Sequence, residues 1–261
     1  MSKSRAASRT VVITGMAGPG YPGLSQSPPN LNWFLHFALT AWKEGDSPLS
    51  QGTLNVWKKG PQKTLEKPWN SIRSGNVIRI TTTPPSKRRD GYLSCQLIKF
   101  HGHVADADLE VLAADFLREL TLEDERLGTF VLDRDCGMYS GTIDWCGTPV
   151  ELLLLTEKEA TARKCLQTIH GMLKAKRNWK KRIEDFAVAD LLPLKNENWR
   201  EDDEPKVTAR EFRQRMTLRT IAIFPKDRFE FSHEDGGLFD GHSILVAGTL
   251  KNGPTEADIP G

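Results

Sequence analysis

Residues 31–42 read Leu-Asn-Trp-Phe-Leu-His-Phe-Ala-Leu-Thr-Ala-Trp, and the first half of the fold turns on whether they form a strand or a helix. Leu31, Trp33, Phe34, Leu35, Phe37, Ala38, Leu39, Ala41 and Trp42 are all apolar, so no period separates a buried strand from a short buried helix. Length and aromatic content favour a strand with an irregular middle. The surrounding sequence agrees. Residues 11–15, 53–57, 75–83 and 93–100 are β-branched or alternating runs, the third ending at Pro84-Pro85. Residues 18–30 hold three Gly and four Pro and read as loop, and residues 86–90 form a basic, polar loop. Residues 10–104 therefore read as a small β-rich module, a curled, barrel-like sheet.

Asp106 is a capping residue for a helix over residues 106–120. Its Leu109, Leu112, Ala113, Phe116, Leu117 and Leu120 fall on one face and bridge to a second module. There, residues 129–134, 138–144 and 149–155 form a tight meander, with Cys136-Gly137 and Cys146-Gly147 in its turns. Thr156 and Glu159 match a capping box before a long helical region to about residue 192, in which Gly171 and the basic run from Lys174 suggest a bend or two helices. Residues 197–204 read as an acidic linker. Thr208 and Glu211 form a second capping box, and residues 218–224, 228–232 and 242–250 a second meander. The fold class is α+β: a β-rich N-terminal module, then an antiparallel sheet of two three-stranded meanders with helices on one face. The expected division is a frayed tail at 1–9, a module at 10–120 and a second at 121–261.

The 261 residues carry 36 Lys and Arg against 34 Asp and Glu, a net +2 that excludes a strongly basic nucleic-acid binder by bulk charge. The balance is uneven. Residues 1–100 hold 14 basic and 4 acidic side chains, and the remainder 22 and 30, so +10 precedes −8. Four cysteines without a CxxC pair are too few for a disulfide scaffold. No apolar stretch has the length of a signal peptide or membrane span, so the expected compartment is the cytoplasm.

The C-terminal pattern includes Leu127-Gly-Thr-Phe-Val-Leu-Asp-Arg, Gly141-Thr-Ile-Asp-Trp and Phe224-Pro-Lys-Asp-Arg-Phe-Glu-Phe. It continues with Asp235-Gly-Gly-Leu-Phe-Asp-Gly-His-Ser-Ile and the closing Leu250-Lys-Asn-Gly-Pro-Thr-Glu-Ala-Asp-Ile-Pro-Gly. Over about residues 121–261 this resembles a bacterial family known as domain of unknown function 2262. The stretch 30–42 resembles a segment that often precedes it. The resemblance implies an uncharacterised bacterial protein, no activity or residue roles to transfer, and a context of toxin-immunity neighbourhoods.

The densest group of chemical side chains is His233, Glu234, Asp235, Asp240 and His242. Its two imidazoles and three carboxylates, read as a loop between strands, suit a general acid–base pair or a divalent metal held by His233, Asp235, Asp240 and His242. The bland reading is a hairpin loop whose carboxylates accept backbone N–H bonds. His101 and His103 could chelate with Asp106 or Asp108, although Gly102 makes a strand end there. Asp133, Asp135 and Asp144 read as hairpin charges. The basic stretch Lys174, Lys176, Arg177, Lys180, Lys181 and Arg182 surrounds Trp179, which is in phase with Ile183 and Phe186 and so reads as core.

The leading expectation is a non-catalytic protein-binding module, immunity-like, meeting a basic partner through Glu201, Asp202, Asp203 and Glu204. No cofactor or resident metal is expected, and the oligomeric state stays open. The first alternative is a metal-assisted hydrolase using the 233–242 loop. The second is nucleic-acid binding through the basic N-terminal module with Lys87, Arg88 and Arg89. Nucleic acid ranks low as a partner on this reading, a rival rather than the lead, because the module lacks the regularly exposed aromatics of a stacking platform.

Overall fold

The computed structural model describes residues 9–26, 32–201 and 203–260, so the expected frayed tail and Asp202 lie largely or wholly outside the described residues. The chain divides into two compact units: Met1–Arg118 with Arg134–Cys136, and Glu119–Asp133 with Gly137–Gly261.

In the first unit the elements are β1 (Val11–Ala17), β2 (Gly23–Gln26), β3 (Trp33–Glu44), β4 (Ser50–Gly60), α1 (Gln62–Ser71), β5 (Val77–Thr82), β6 (Ser86–Lys87), β7 (Leu93–His103) and α2 (Ala107–Leu117). The apolar stretch is the strand β3. Leu35, Phe37, Leu39 and Ala41 point inward at period two, and a register shift between Leu39 and Ala41 supplies the irregular middle. The strands follow the order β1-β5-β7-β4-β3, and β1 also pairs with β3, so the sheet closes on itself as a five-stranded barrel. Only the β4–β7 pair in this ring is parallel. Inside, Ile13, Leu35, Leu39, Leu54, Val56, Ile78, Ile80 and Leu97 make one core, joined by Leu65 and Ile72 from in and beside α1. Each such fully buried side chain contributes roughly 1.5–3 kcal/mol. Asp106 caps α2 as expected, accepting from Leu109 N, and Lys43 Nζ on β3 ties Asp106 and Asp108 to the barrel at 2.8 and 2.7 Å.

The second unit holds β8 (Thr121–Asp124), β9 (Gly128–Asp133), β10 (Met138–Trp145), β11 (Thr148–Leu154), α3 (Glu159–Leu173), α4 (Lys176–Asn198), α5 (Ala209–Arg215), β12 (Thr217–Ile223), β13 (Arg228–Glu234), β14 (Ile244–Thr249) and β15 (Gly253–Asp258). The fold is α+β. Its meanders, however, have four strands each, β8–β11 and β12–β15, joined into one sheet by the parallel β11–β12 pair. Expecting three strands in each missed the two edges. β8 and β15 each bury a single residue, Leu122 and Gly253, and so carry almost no apolar alternation. Val150, Leu152, Leu154, Ile221, Ile223, Phe229, Phe231, Ile244 and Val246 share one core with Ile169 and Met172 of α3 and Trp179, Ile183 and Leu191 of α4.

The helical region is two helices, broken at Lys174–Ala175. The capping box of Thr208 and Glu211 forms with both reciprocal bonds. That of Thr156 does not: its hydroxyl accepts from Lys158 N in a local turn, and α3 starts at Glu159 with no side-chain cap. None of the four cysteines is in a disulfide. Among the described residues no helix is long and apolar enough to cross a membrane.

Candidate nucleic-acid interface

Once residues 33–44 are a strand, the positions that do not enter the core must face outward. On β3 these are Phe34, His36 and Ala38, and on β4 they are Asn55, Trp57 and Lys59. The register sets them opposite each other: Phe34 with Lys59, His36 with Trp57, and Ala38 with Asn55. The three rings lie in near-parallel planes, Phe34 and Trp57 at 6.1 Å and 19°, Phe34 and His36 at 5.9 Å and 30°. Directly opposed aromatic pairs stabilise a two-strand ribbon, yet here they stand on the outer surface, with His36 exposed and Phe34 and Trp57 half-buried.

Two loops wall this face. Residues 19–26, between β1 and β3, bring Tyr21, 69% exposed, and the edge strand β2. Gly23 on β2 sits opposite His36, and a Cβ there would lie 2.0 Å from the imidazole Cε1. Glycine is what lets the ring lie over the edge strand. On the other side, β6 folds back on β7, and Arg88 N donates to Tyr92 O at 2.8 Å. This short hairpin presents Lys87, Arg88 and Arg89, all exposed. Arg88 pairs loosely with Asp90 at 3.6 Å, whereas Lys59, Lys87 and Arg89 make no ion pair among the described residues. The groove between the loops is about 550 Å³ and is lined by Tyr21, Ser25, Phe34, His36, Asn55, Trp57 and Arg88, among others. A closed five-stranded Greek-key barrel is the OB architecture, whose second and third strands and flanking loops form its usual oligonucleotide-binding face. Here those strands are β3 and β4.

The residues singled out from sequence sit elsewhere and do different work. His233 and Glu234 are not loop residues but the end of β13. His233 is 5% exposed, and burial pushes its pKa down to about 4. Glu234 pairs with Arg219 at 2.7 Å. Asp235 accepts from Phe239 N at 2.6 Å and Gly241 N at 3.1 Å. Burial pushes this carboxyl up, but the N–H bonds outweigh it and hold it below the usual range. Gly236, at φ +56°, lies beneath the Arg215 carbonyl, where a Cβ would come within 2.5 Å of the oxygen. Asp240 also has a positive φ, and His242 lies against Trp199 with Nδ1 3.3 Å from Pro260 O. Among the described residues no group of three or more His, Cys, Asp or Glu is placed to hold a metal ion, so His233, Asp235, Asp240 and His242 form no such shell. Asp235→Ala should remove the two bonds that seat the fully buried Phe239, costing about 1–3 kcal/mol in a urea unfolding curve.

Of the acidic run, Glu204 is turned inward onto the buried Lys195 at 2.9 Å, and Glu201 O accepts from Glu204 N; Asp203 stays exposed. The basic face of α4 is largely neutralised: Lys176 pairs with Asp144, Lys180 with Glu184, Lys181 with Asp185, and Arg182 stacks on Trp179. His101 bonds Thr81, and His103 contacts Ser71 O. The side chains that sequence reading missed are Phe34, His36, Trp57 and Lys59. The available signal was alternation at 34, 36, 38 and 55, 57, 59, legible only after the strand assignment.

Solved structures that the chain resembles include a small single-stranded DNA-binding protein from Streptomyces coelicolor. That match has 13% identity over 38% of this chain and 97% of that one, with a TM-score of 0.28. Another is the mitochondrial single-stranded DNA-binding protein Rim1 of S. cerevisiae, at 13% identity over 38% and 99% with a TM-score of 0.27. A third is a Replication Protein A heterotrimer bound to single-stranded DNA, at 6% identity over 63% and 43% with a TM-score of 0.30. The expectation that nucleic acid ranks low as a partner rested on missing exposed aromatics, and it is corrected by Phe34, His36 and Trp57 on the outer face of the barrel. Its physical error was to weigh bulk charge and to miss aromatics that only strand pairing assembles. None of the curated proteins matches the sequence. The family model for an uncharacterised protein conserved in bacteria matches residues 124–259, and the chain belongs to that family, DUF2262.

Proposed function

We propose that the N-terminal barrel binds single-stranded nucleic acid across β3 and β4. The observation that supports this reading most is the outward group of Phe34, His36 and Trp57, set between Lys59 and the Lys87–Arg89 hairpin. Unpaired bases have free π-faces and stack on such rings without regard to sequence, while cations on both flanks meet the phosphates. A duplex hides its base faces, so the same groove discriminates against it. The reaction class is binding, with no bond made or broken, and the residues act as stacking platforms (Phe34, Trp57, His36) and phosphate contacts (Lys59, Lys87, Arg88, Arg89).

Salt dependence tests the electrostatic half. Four phosphate contacts on a single strand give a log–log slope of about −3. Replacing Lys87, Arg88 and Arg89 together by Gln should flatten it by about 2 and weaken binding alike for all sequences. A slope unchanged by that substitution would remove the hairpin from the interface.

A further inference from the structure

Residues 19–22 read Pro-Gly-Tyr-Pro, and Pro19, Gly20 and Tyr21 line the groove on the barrel. The two prolines fix φ on either side of Gly20 and Tyr21. Both ends of the loop are tied down: Gly18 N donates to Ala38 O at 2.9 Å, and Trp69 Nε1 donates to Pro22 O at 3.0 Å. Its middle is held by a side chain distant in sequence. Asp135, in the segment Arg134–Cys136 of the same unit, accepts from Gly20 N through Oδ1 at 3.1 Å. Ser74 Oγ donates to that same oxygen and lies 3.0 Å from Gly18 O. Gly20 has a φ of +87°, a conformation that glycine takes without strain.

Gly18 and Pro22 are buried, and Tyr21 between them stands 69% exposed. A mere connection has no need of such anchors to show an aromatic ring to solvent. A tyrosine on a fixed backbone offers a large, flat contact surface at little entropic cost, and pre-organisation of that kind turns directly into affinity. The same groove is lined by Phe34, His36 and Trp57, with about 550 Å³ of space among them.

We propose that Tyr21 is a further base-stacking residue, closing an unpaired base of single-stranded nucleic acid against the β3–β4 face, and that Asp135 is its positioning residue, acting through Gly20. The inference rests on the reading of that face as a single-strand platform.

Fluorescence anisotropy of a labelled oligothymidine with the full-length protein is the test. Tyr21→Ala should weaken binding about five- to fiftyfold, and Tyr21→Phe should restore most of it. Asp135→Ala should lose much of the same factor and speed amide exchange at Gly20. Asp135→Asn, which keeps an acceptor for Gly20 N, should bind nearly as wild type. In a Tyr21→Ala background Asp135→Ala should cost no more than about twofold, whereas beside Trp57→Ala it should keep its effect. An Asp135 that only stabilised the fold would weaken both backgrounds alike. If Asp135→Ala does not fold, Gly20→Ala takes its place, since a Cβ there meets no atom within 4 Å and strains only the loop backbone. Tyr21→Ala binding within about twofold of wild type, or equal losses in the two backgrounds, would overturn the clamp while the platform stands. A wild-type protein that binds no oligothymidine would overturn the platform and the clamp together.

Discussion

Trp57→Ala should weaken binding of a single-stranded oligonucleotide by about 10- to 100-fold, since stacking of a base on an aromatic side chain is worth roughly 1–3 kcal/mol. Trp57 stands on the outer face and not in the core: Leu54 and Val56 of the same strand point inward, and it lies opposite His36 and beside Phe34. The substitution should therefore leave the unfolding midpoint nearly unchanged. Phe34→Ala should weaken binding by a similar factor. The double variant should lose less than the product of the two, because the rings form one group and a base resting on both is lost at the first truncation. Trp57→Phe should restore much of the affinity, because it keeps a stacking surface. Fluorescence anisotropy of a labelled oligothymidine reads all four, and affinity within about twofold of wild type in Trp57→Ala would exclude the ring from the interface.

Acid should destabilise the C-terminal unit over a window set by His233. Its folded pKa of about 4 lies below the ordinary histidine value of 6.5. Between those values the unfolded chain takes up a proton that the folded chain does not, so stability rises with pH across the window and is complete above it. The total is about 3 kcal/mol, at roughly 1.4 kcal/mol per pH unit. Lys180 and Glu184 of α4 line one cavity with His233, and burial raises the Glu184 pKa. Glu184 therefore adds a slope of opposite sign that starts just above the ordinary carboxylate range, inside the same window. Asp235 acts later: its depressed pKa keeps its contribution intact until pH falls below the ordinary carboxylate range. Urea midpoints at several pH values should fall steadily below pH 6.5, and His233→Leu should flatten that decline. A wild-type midpoint constant from pH 7 to 4.5 would contradict the buried, neutral imidazole.

The ease of reading the two halves of the sequence differed for physical reasons. Strands with one buried face and a turn at each end, such as β10 and β11, announce themselves by alternation. So did the capped α2 and α5. α1 did not: it buries only Leu65 and Pro68, opens at Pro61, and contains a proline, so it has neither a helical stripe nor a capping side chain. β15 holds Pro254 and hides in a Gly/Pro tail, a composition that an edge strand tolerates and that sequence reading takes for a loop. The proposed binding face was the least legible part. Phe34 and Trp57 lie far apart in sequence and become neighbours only through the register of β3 on β4.

The continuous apolarity of residues 33–42 was the clue in plain view. A strand with one face in a barrel core should alternate with polar residues, and this one carries Phe34 on its outer face instead. That breach of pattern is where the proposed stacking surface lies. The conspicuous 233–242 group misled in the opposite sense. His233 is core, Asp235 closes a turn around Gly236, and Glu234 is taken by Arg219. Dense polar chemistry along a sequence was serving local backbone geometry.

The proposed hold of the barrel on single strands works through exposed base faces. It is tested most directly by titrating full-length protein into a labelled oligothymidine of about 20 nucleotides and into a duplex of the same length, at about 50 mM salt. The expected result is saturable binding of the single strand in the micromolar range or tighter, duplex binding at least about tenfold weaker, and loss of the single-strand signal as salt rises. No anisotropy change at about 100 μM protein, or equal affinity for strand and duplex, would contradict it.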